Sequence, residues 1–317
     1  MGEGLARYYP EVDGQRQALP WQQKFHAGIT PSGKKADHIL LSGGVGSGMT
    51  TAICADIAYQ LEAFPGIKIT VVANFEYVLE KFFESQFRRL PLGVFANVSR
   101  IDAKTHSVTF VNGSTLSSRP CTDPDTLRGF QCHKAYMIEA SDWTKTETYQ
   151  VEEDDIEGYE PPDEDGFEAP IYTGNKITVT RTRDIDIGHE VFTALALRCS
   201  APGDFPRGVV VQQNPRGHNW AYNVFVKPVN CFTENEDNTV EYEHTSRACI
   251  MYGQPYPEST FYTIQIPSAA NTFLKPGYVQ AMLQHMKEAP AMKQRMIDAA
   301  FYVITPEAIE QAKREVN

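Results

Sequence analysis

The sequence predicts an α/β fold in which a mainly parallel sheet carries helices on both of its faces. Short apolar runs typical of buried strands alternate with helical patterns along residues 38–230, and this alternation is typical of parallel sheets. A glycine-rich turn joins the first strand to the first long helix. Polar residues follow three predicted strands directly, and ligands of open parallel sheets bind outside the carboxyl ends of the strands.

The alternating pattern begins after a polar segment at residues 1–37. Its first half comprises a strand at His38–Ser42, a helix at Met49–Phe64, a strand at Ile67–Ala73, a helix at Tyr77–Leu90, and short β-rich pieces at Val98–Ile101 and Val108–Phe110. An Asn112-Gly113 turn signal follows these pieces. This half of the chain therefore supplies the first strands of the predicted sheet.

The second half of the pattern adds two buried strands and a helical end. The strand at Ala135–Ile138 ends at Glu139, and the strand at Gly208–Gln212 ends at Asn214. Asn214 either caps a helix predicted at His218–Phe225 or senses a bound phosphate. From Lys275 onward the sequence predicts three helices, at Pro276–Lys287, Pro290–Phe301 and Pro306–Val316.

Charge and composition limit the classes of function. The 317 residues carry a formal charge of −11, which argues against a nucleic-acid surface. Ten acidic residues and no basic ones fall within residues 151–168, however, so the rest of the chain is close to neutral. Like charges repel, so we expect this acidic insertion to be a solvated, mobile loop. No apolar run approaches the length of a membrane span, and we expect no membrane partner.

The glycine-rich turn is the strongest functional signal. It reads Gly43-Gly44-Val45-Gly46-Ser47-Gly48-Met49-Thr50 and is followed by Thr51. Glycines let backbone N–H groups curl around an anion, the helix dipole adds positive potential, and the Thr50 hydroxyl is placed to bind Mg²⁺. The phosphate-binding pattern needs a lysine where this chain has Met49. The turn therefore predicts a nucleotide site that lacks its own cation.

Several motifs in a fixed order resemble the ATPase domain of the large terminase subunit of tailed bacteriophages. The similarity covers most of the chain and rests on five places: Trp21-Gln22 with Phe25, the loop GGVGSGMT, Leu127-Arg128-Gly129 before Glu139, Gln213-Asn214-Pro215 with Trp220, and Asn271-Thr272-Phe273-Leu274. The resemblance implies a P-loop NTPase of the additional-strand (RecA-like) class. It also implies a C-terminal helical lid and an ATP-driven motor.

The resemblance assigns roles to individual residues. Gln22 would read the adenine, Glu139 would polarise the attacking water, and Arg128 would reach the γ-phosphate in a neighbouring subunit. Asn214 would couple hydrolysis to motion. The implied cofactors are ATP and Mg²⁺. The implied partners are double-stranded DNA, the portal and prohead, a small terminase subunit, and further copies of the chain in a pentamer. The implied location is the host cytoplasm, transiently at the portal vertex of the prohead.

The same resemblance implies a division of the chain. Residues 1–37 would carry the adenine-binding Trp21-Gln22 pair, and residues 38–230 would form the ATPase core with the acidic insertion. Residues 231–317 would form the lid and linker helices. We expect the nuclease domain of a full terminase to be absent, so the resemblance implies a separate nuclease subunit or domain as a further partner.

The departures from the family pattern fall on catalytic positions. Met49 replaces the loop lysine, through natural drift or an engineered block, and the expected Asp-Glu pair reads Ile138-Glu139. If Glu139 instead fills the metal position, Ala140 replaces the catalytic glutamate. Hydrolysis is impaired in either alignment, so whether the chain is an ATPase enzyme stays open. The alternative is an inactive terminase-like subunit with a structural or regulatory role; a helicase would need a second motor domain.

Overall fold

A ten-stranded sheet organises the protein, which is described by a computed structural model over residues 5–9, 11–12, 15–86, 97–102, 106–157, 171–229, 231–246, 250–251, 254–255, 258–275, 277–285, 293 and 297–299. The strands are β1 (Glu11–Val12), β2 (Gln15–Arg16), β3 (His38–Gly43), β4 (Lys68–Ala73), β5 (Val98–Asp102), β6 (Ser107–Phe110), β7 (Thr115–Pro120), β8 (Lys134–Met137), β9 (Thr144–Glu157), β10 (Ile171–Asp186), β11 (Gly208–Gln213), β12 (Cys231–Glu234), β13 (Val240–Ser246), β14 (Ile250–Met251), β15 (Gln254–Pro255) and β16 (Ser259–Ile266).

The helices in the described part of the chain are fewer than the strands. The α-helices are α1 (Pro20–Ala27), α2 (Met49–Ala63), α3 (Glu76–Lys81), α4 (Gly188–Arg198) and α5 (Tyr278–His285). Two π-helical turns occur at Phe82–Gln86 and Tyr222–Val226, and 3₁₀ turns occur at Pro124–Leu127, Ala140–Asp142 and Ser268–Ala270. No helix among the described residues is long and apolar enough to cross a bilayer.

The centre of the sheet is parallel and its two edges are antiparallel. The strand order is β12-β13-β16-β3-β11-β8-β4-β7-β6-β5, and the six strands from β16 to β7 run parallel. Strand β11 lies between β3, which leads into the glycine loop, and β8, which leads into Glu139. An extra strand in that place is the mark of the additional-strand class of P-loop NTPases, so the predicted fold class is confirmed.

Helices cover both faces of the sheet, as predicted. Side chains alternate along a strand, so Ile39 and Leu41 of β3 join the core cluster that contains α2, while His38 points to the other face. There the His38 ring lies 5.2 Å from the Phe192 ring of α4. Strands buried on both faces favour continuous apolar runs, which explains the sequences of β3 and β11.

The end of the sheet does not coincide with the domain boundary predicted at residue 230. Strands β12, β13 and β16 continue the sheet beyond it, up to Ile266. Helix α5 falls within the predicted helix 276–287. The helices predicted at 290–301 and 306–316 fall largely or wholly outside the described residues.

The expectation of a mobile acidic loop is wrong for residues 151–157. They form the second half of β9, which pairs with β10 in an antiparallel hairpin, and residues 158–170 lie outside the described part. Residues Thr144–Asp186 make a compact unit of their own. Backbone pairing with a threonine-rich partner strand outweighs the charge repulsion, and Arg183 donates to Glu147 across the hairpin at 2.8 Å.

A buried carboxylate ties α2 to its neighbours. Asp56 is 1% exposed and accepts hydrogen bonds from Lys134 at 2.6 Å, from the Tyr136 hydroxyl and from His26. Burial alone would raise the pKa of Asp56, but the charges of Lys134 and His26 outweigh it and hold that pKa well below its ordinary value. The cluster therefore contains an ionised carboxylate that links α1, α2 and β8.

We predict that Asp56→Asn lowers the free energy of unfolding by about 3–5 kcal/mol, because it leaves the half-buried Lys134 ammonium without its counter-charge. The lowered pKa means that this stabilisation is present above about pH 4 and is lost as the pH falls through the folded-state pKa. Urea denaturation at neutral and acidic pH measures both effects. Asp125→Asn, which breaks an exposed pair with Arg128, should cost under about 1 kcal/mol. Equal losses in the two variants would contradict the assignment.

Candidate functional site

The glycine loop leaves β3 at Gly43 and enters α2 at Met49. Gly46 has a φ of 76° and Gly48 a φ of 94°, which are left-handed conformations that favour glycine. The first α-helical bond runs from the Ala52 N–H to the Gly48 carbonyl at 3.1 Å. The amides of residues 49–51 therefore precede the helical ladder and remain available to an anion.

Side chains from four separate positions in the chain hold the carbonyl oxygens of this loop. Each donates an amide or hydroxyl hydrogen, so the carbonyls are turned toward the protein. The bonds are Asn214 Nδ2 to Gly43 (2.5 Å), Ser268 Oγ to Val45 (2.6 Å), Asn271 Nδ2 to Gly46 (2.7 Å) and Gln22 Nε2 to Gly48 (3.3 Å). The Gly44 N–H donates to Ile266 of the adjacent strand β16 at 2.9 Å. Carbonyl oxygens that are bonded in this way do not point into the anion site, where they would repel an anion.

The Met49 side chain lies under the loop. It is 5% exposed and belongs to the apolar cluster beneath α2. A methyl group at Gly43 would lie 2.6 Å from Met49 Sδ and equally close to Ser47 Oγ, so a larger residue there would require both side chains to move. Met49, at the position where the phosphate-binding pattern has a lysine, is thus a core side chain rather than a side chain exposed to solvent.

Buried polar atoms without a partner surround the loop. Within the described part of the chain, Ser42 Oγ, Ser47 Oγ and Gln213 Nε2 are buried and make no hydrogen bond. Such atoms are rare in folded proteins because each costs about 1–3 kcal/mol. All three can donate a hydrogen bond, and they belong to the loop and to the strand ends where a phosphate or its hydration shell would lie. The residues present therefore fit an anionic ligand.

A cavity of about 400 Å³ opens beside the start of α2. Its lining comes from the ends of β4, β8 and β11 and from α3, and comprises Thr50, Asn74, Phe75, Tyr77, Val78, Lys81, Phe82, Ile138, Glu139 and Gln212. Glu139 has a φ of 53°, which is unusual for a residue with a side chain and is typical of functional sites. Gln212 Nε2 donates to its carboxylate at 3.4 Å, and the Glu139 N–H donates to Gln212 Oε1 at 3.3 Å.

The structure brings Thr50 and Glu139 together at this cavity and places Arg128 elsewhere. Arg128 is 74% exposed, pairs with Asp125 at 2.7 Å, and does not line the cavity. An exposed arginine of this kind is accessible to a second molecule. Ile138 is 2% exposed, and Ala140 is buried with its carbonyl bonded to Trp220, so Glu139 is the carboxylate that faces the cavity.

The structure changes the helix cap expected from the sequence and adds contacts to Gln22. Asn219, not Asn214, caps the helical turn that follows β11, because this turn begins at Trp220, directly after Asn219, and Asn219 Oδ1 accepts from the Tyr222 N–H at 3.1 Å. Gln22 is 3% exposed and its Oε1 accepts from the Leu19 N–H, so its amide holds α1 and the loop in place. Its role in reading adenine stays a prediction.

Sequence reasoning missed several site residues. Asn271 belonged to a recognised motif, yet its bond to Gly46 and that of Ser268 to Val45 span more than 220 positions and leave no local signal. Lys81 and Gln212 were also missed. Period-2 alternation could have found Gln212, because it places this residue on the opposite face of β11 from Gln213.

Comparison with solved structures agrees with this geometry. The chain aligns with the large terminase ATPase domain of Thermus phage P74-26 at a TM-score of 0.51 and 14% identity, over 94% of this chain and 96% of that one. It aligns with the large terminase of a thermophilic bacteriophage, solved in complex with ADP, at 0.55 and 10%, over 90% of this chain and 54% of that one. The fold is that of a large terminase ATPase domain.

The terminase resemblance predicted from the motifs is therefore confirmed at the level of the fold. The chain spans nearly all of the P74-26 ATPase domain but about half the length of the ADP-bound terminase. No family model matches the sequence, and no curated protein matches it either. The similarity to these structures, at 10–14% sequence identity, establishes the terminase fold but assigns no activity to this chain.

We predict that Met49→Lys lowers the free energy of unfolding of the protein without nucleotide by about 1–3 kcal/mol, because an ammonium replaces a buried thioether. Met49→Leu keeps the volume and apolar character and should change that free energy by less than about 1.5 kcal/mol. Chemical denaturation of the three proteins measures the difference. A Met49→Lys protein as stable as the native one would show that the side chain at this position reaches solvent.

Proposed function

We propose that this chain is a terminase-like DNA-packaging ATPase domain that binds ATP with Mg²⁺ and couples the nucleotide to DNA translocation into a prohead. The observation that carries the proposal is the glycine loop at the carboxyl edge of the parallel sheet, with four of its carbonyls bonded to side chains and the amides of residues 49–51 available. The adjoining cavity presents a hydroxyl at Thr50 and a carboxylate at Glu139. This combination suits phosphoryl transfer, which depends on positioning and charge neutralisation.

Loop residues 43–51 would surround the phosphates, with the backbone amides of residues 49–51 donating to them, and the Thr50 hydroxyl would hold Mg²⁺. When bound, Mg²⁺ would neutralise phosphate charge. The large terminase of the thermophilic bacteriophage was solved with ADP and with ATP-γ-S, which supports a nucleotide ligand for this fold. Gln22 would contact the adenine only if its present bonds to Leu19 and Gly48 rearrange.

Glu139 would orient the attacking water from its position on the cavity. Its paired amide, Gln212, would fix the direction of the carboxylate. Arg128 would act on the nucleotide of an adjacent subunit, which its exposure and its absence from the lining of this chain's own cavity favour. Asn214, bonded to Gly43, would transmit changes in the loop to the segment after β11.

The partners follow from the same proposal. They are double-stranded DNA, the portal and prohead, a small terminase subunit, and other copies of the chain in a pentamer. The protein would act in the host cytoplasm and at the portal vertex. A separate nuclease subunit or domain is a further proposed partner. The chain spans about half the length of the ADP-bound terminase.

A second candidate is an inactive terminase-like subunit that serves assembly or regulation. The observation in its favour is that Met49 is buried in the core and that Ile138 takes the place of an acidic residue. Such a subunit would keep the fold and the loop without turnover.

The proposal is tested by calorimetric titration of native protein and Met49→Lys with Mg-ATP, followed by phosphate release on the same samples. We predict that native protein binds Mg-ATP and turns it over slowly. The lysine should raise turnover by about 10- to 100-fold, because it adds a preorganised charge at the phosphates.

Thr50→Val is the matched control, since it removes the hydroxyl offered to Mg²⁺ and keeps the side-chain shape. It should abolish the Mg²⁺ dependence of binding. Binding without turnover in native protein and in Met49→Lys would favour the inactive subunit. If neither protein binds nucleotide, the ATPase proposal is wrong.

A further inference from the structure

The cavity beside Thr50 contains a cation that the terminase resemblance did not assign. Among the described residues that line this cavity, Lys81 is the only one with a positive charge, and Glu139 is the only one with a negative charge. The glycine loop itself has lost its cation, because Met49 is buried in the core. A triphosphate in the loop would therefore face one nearby ammonium, on a different element.

The position of Lys81 is set by its helix. Helix α3 packs on β4, and Tyr77 and Lys81 are four positions apart, so both lie on the face that borders the cavity. Lys81 Nζ lies 5.3 Å from the centre of the Tyr77 ring, within the range of a cation–π contact. This contact places the ammonium beside the Tyr77 ring, on the lining of the cavity.

Helix α3 is anchored in the core at its end, and the turn that follows it is irregular. Phe82, the next residue, is 4% exposed and anchors the end of α3 in the core. The chain then forms the π-helical turn Phe82–Gln86, a feature that occurs often at functional sites. Lys81 is thus the last residue of α3, directly before the π-turn, and it lines the cavity.

We infer that Lys81 supplies the charge missing from the loop and binds the terminal phosphate of a nucleoside triphosphate held there. The inference rests on the proposed nucleotide site. It explains how the loop keeps a triphosphate site without a lysine of its own, since a cation on α3 approaches the same phosphate from a separate element. A diphosphate lacks the group that Lys81 would contact.

The test compares Mg-ATP and Mg-ADP affinities of native protein, Lys81→Met and Lys81→Arg by calorimetry. Lys81→Met should weaken ATP binding by about 10- to 100-fold, the range for losing a charged hydrogen bond, and ADP binding by less than about threefold. Lys81→Arg keeps the charge and should retain most of the ATP affinity. Lys68→Met is the matched control, because Lys68 is exposed at the other end of β4 and should change neither affinity.

A second measurement repeats Lys81→Met in the Met49→Lys background. The loop lysine then provides the charge, so the loss of ATP affinity should shrink to under about threefold, which is the non-additivity expected of groups that share a partner. Equal losses of ATP and ADP affinity on Lys81→Met, or no loss, would overturn the role of Lys81 and leave the nucleotide site standing. Binding of neither nucleotide by native protein would overturn both proposals.

Discussion

The site depends on the orientation of four carbonyl groups. A phosphate-binding loop needs its amides on the inner side, and peptide geometry then turns the carbonyls outward, where each must find a donor. In this protein the donors are side chains of α1, of the segment after β11, and of the segment after β16. The elements that bring them together are the central parallel strands, which place all of these segments at one edge of the sheet.

This arrangement separates the shape of the loop from its charge. Backbone conformation is maintained by asparagine, serine and glutamine side chains and does not require a lysine, so the shape persists with Met49 in the core. Charge is a separate requirement. Only Lys81 meets it among the described residues that line the cavity, and Glu139 supplies the opposing carboxylate. A protein built in this way can change its phosphate-facing cation without rebuilding the loop.

Much of the fold was predictable from the sequence, and the reasons are local. Continuous apolar runs predicted β3, β4, β8 and β11, because strands buried on both faces leave such runs. The strands from 231 to 266 were missed, and in the antiparallel edge strand β13 the alternating polar residues carry a weaker signal. The acidic insertion was predicted to be a mobile loop because the prediction considered charge repulsion but not pairing with the strand β10. In the site, the loop and Glu139 were predictable, but the bonds of Ser268 and Asn271 join positions more than 220 residues apart.

The hydrogen bonds to the loop also determine whether such a motif can be transferred to another protein. The eight letters GGVGSGMT do not by themselves determine the conformation seen here, because positions 22, 214, 268 and 271 hold it from outside. Grafting the octapeptide onto another strand and helix would transfer the glycines and leave their carbonyls without donors. The transferable unit is the loop together with three distant segments, so a pattern search restricted to contiguous letters registers only part of what encodes the site.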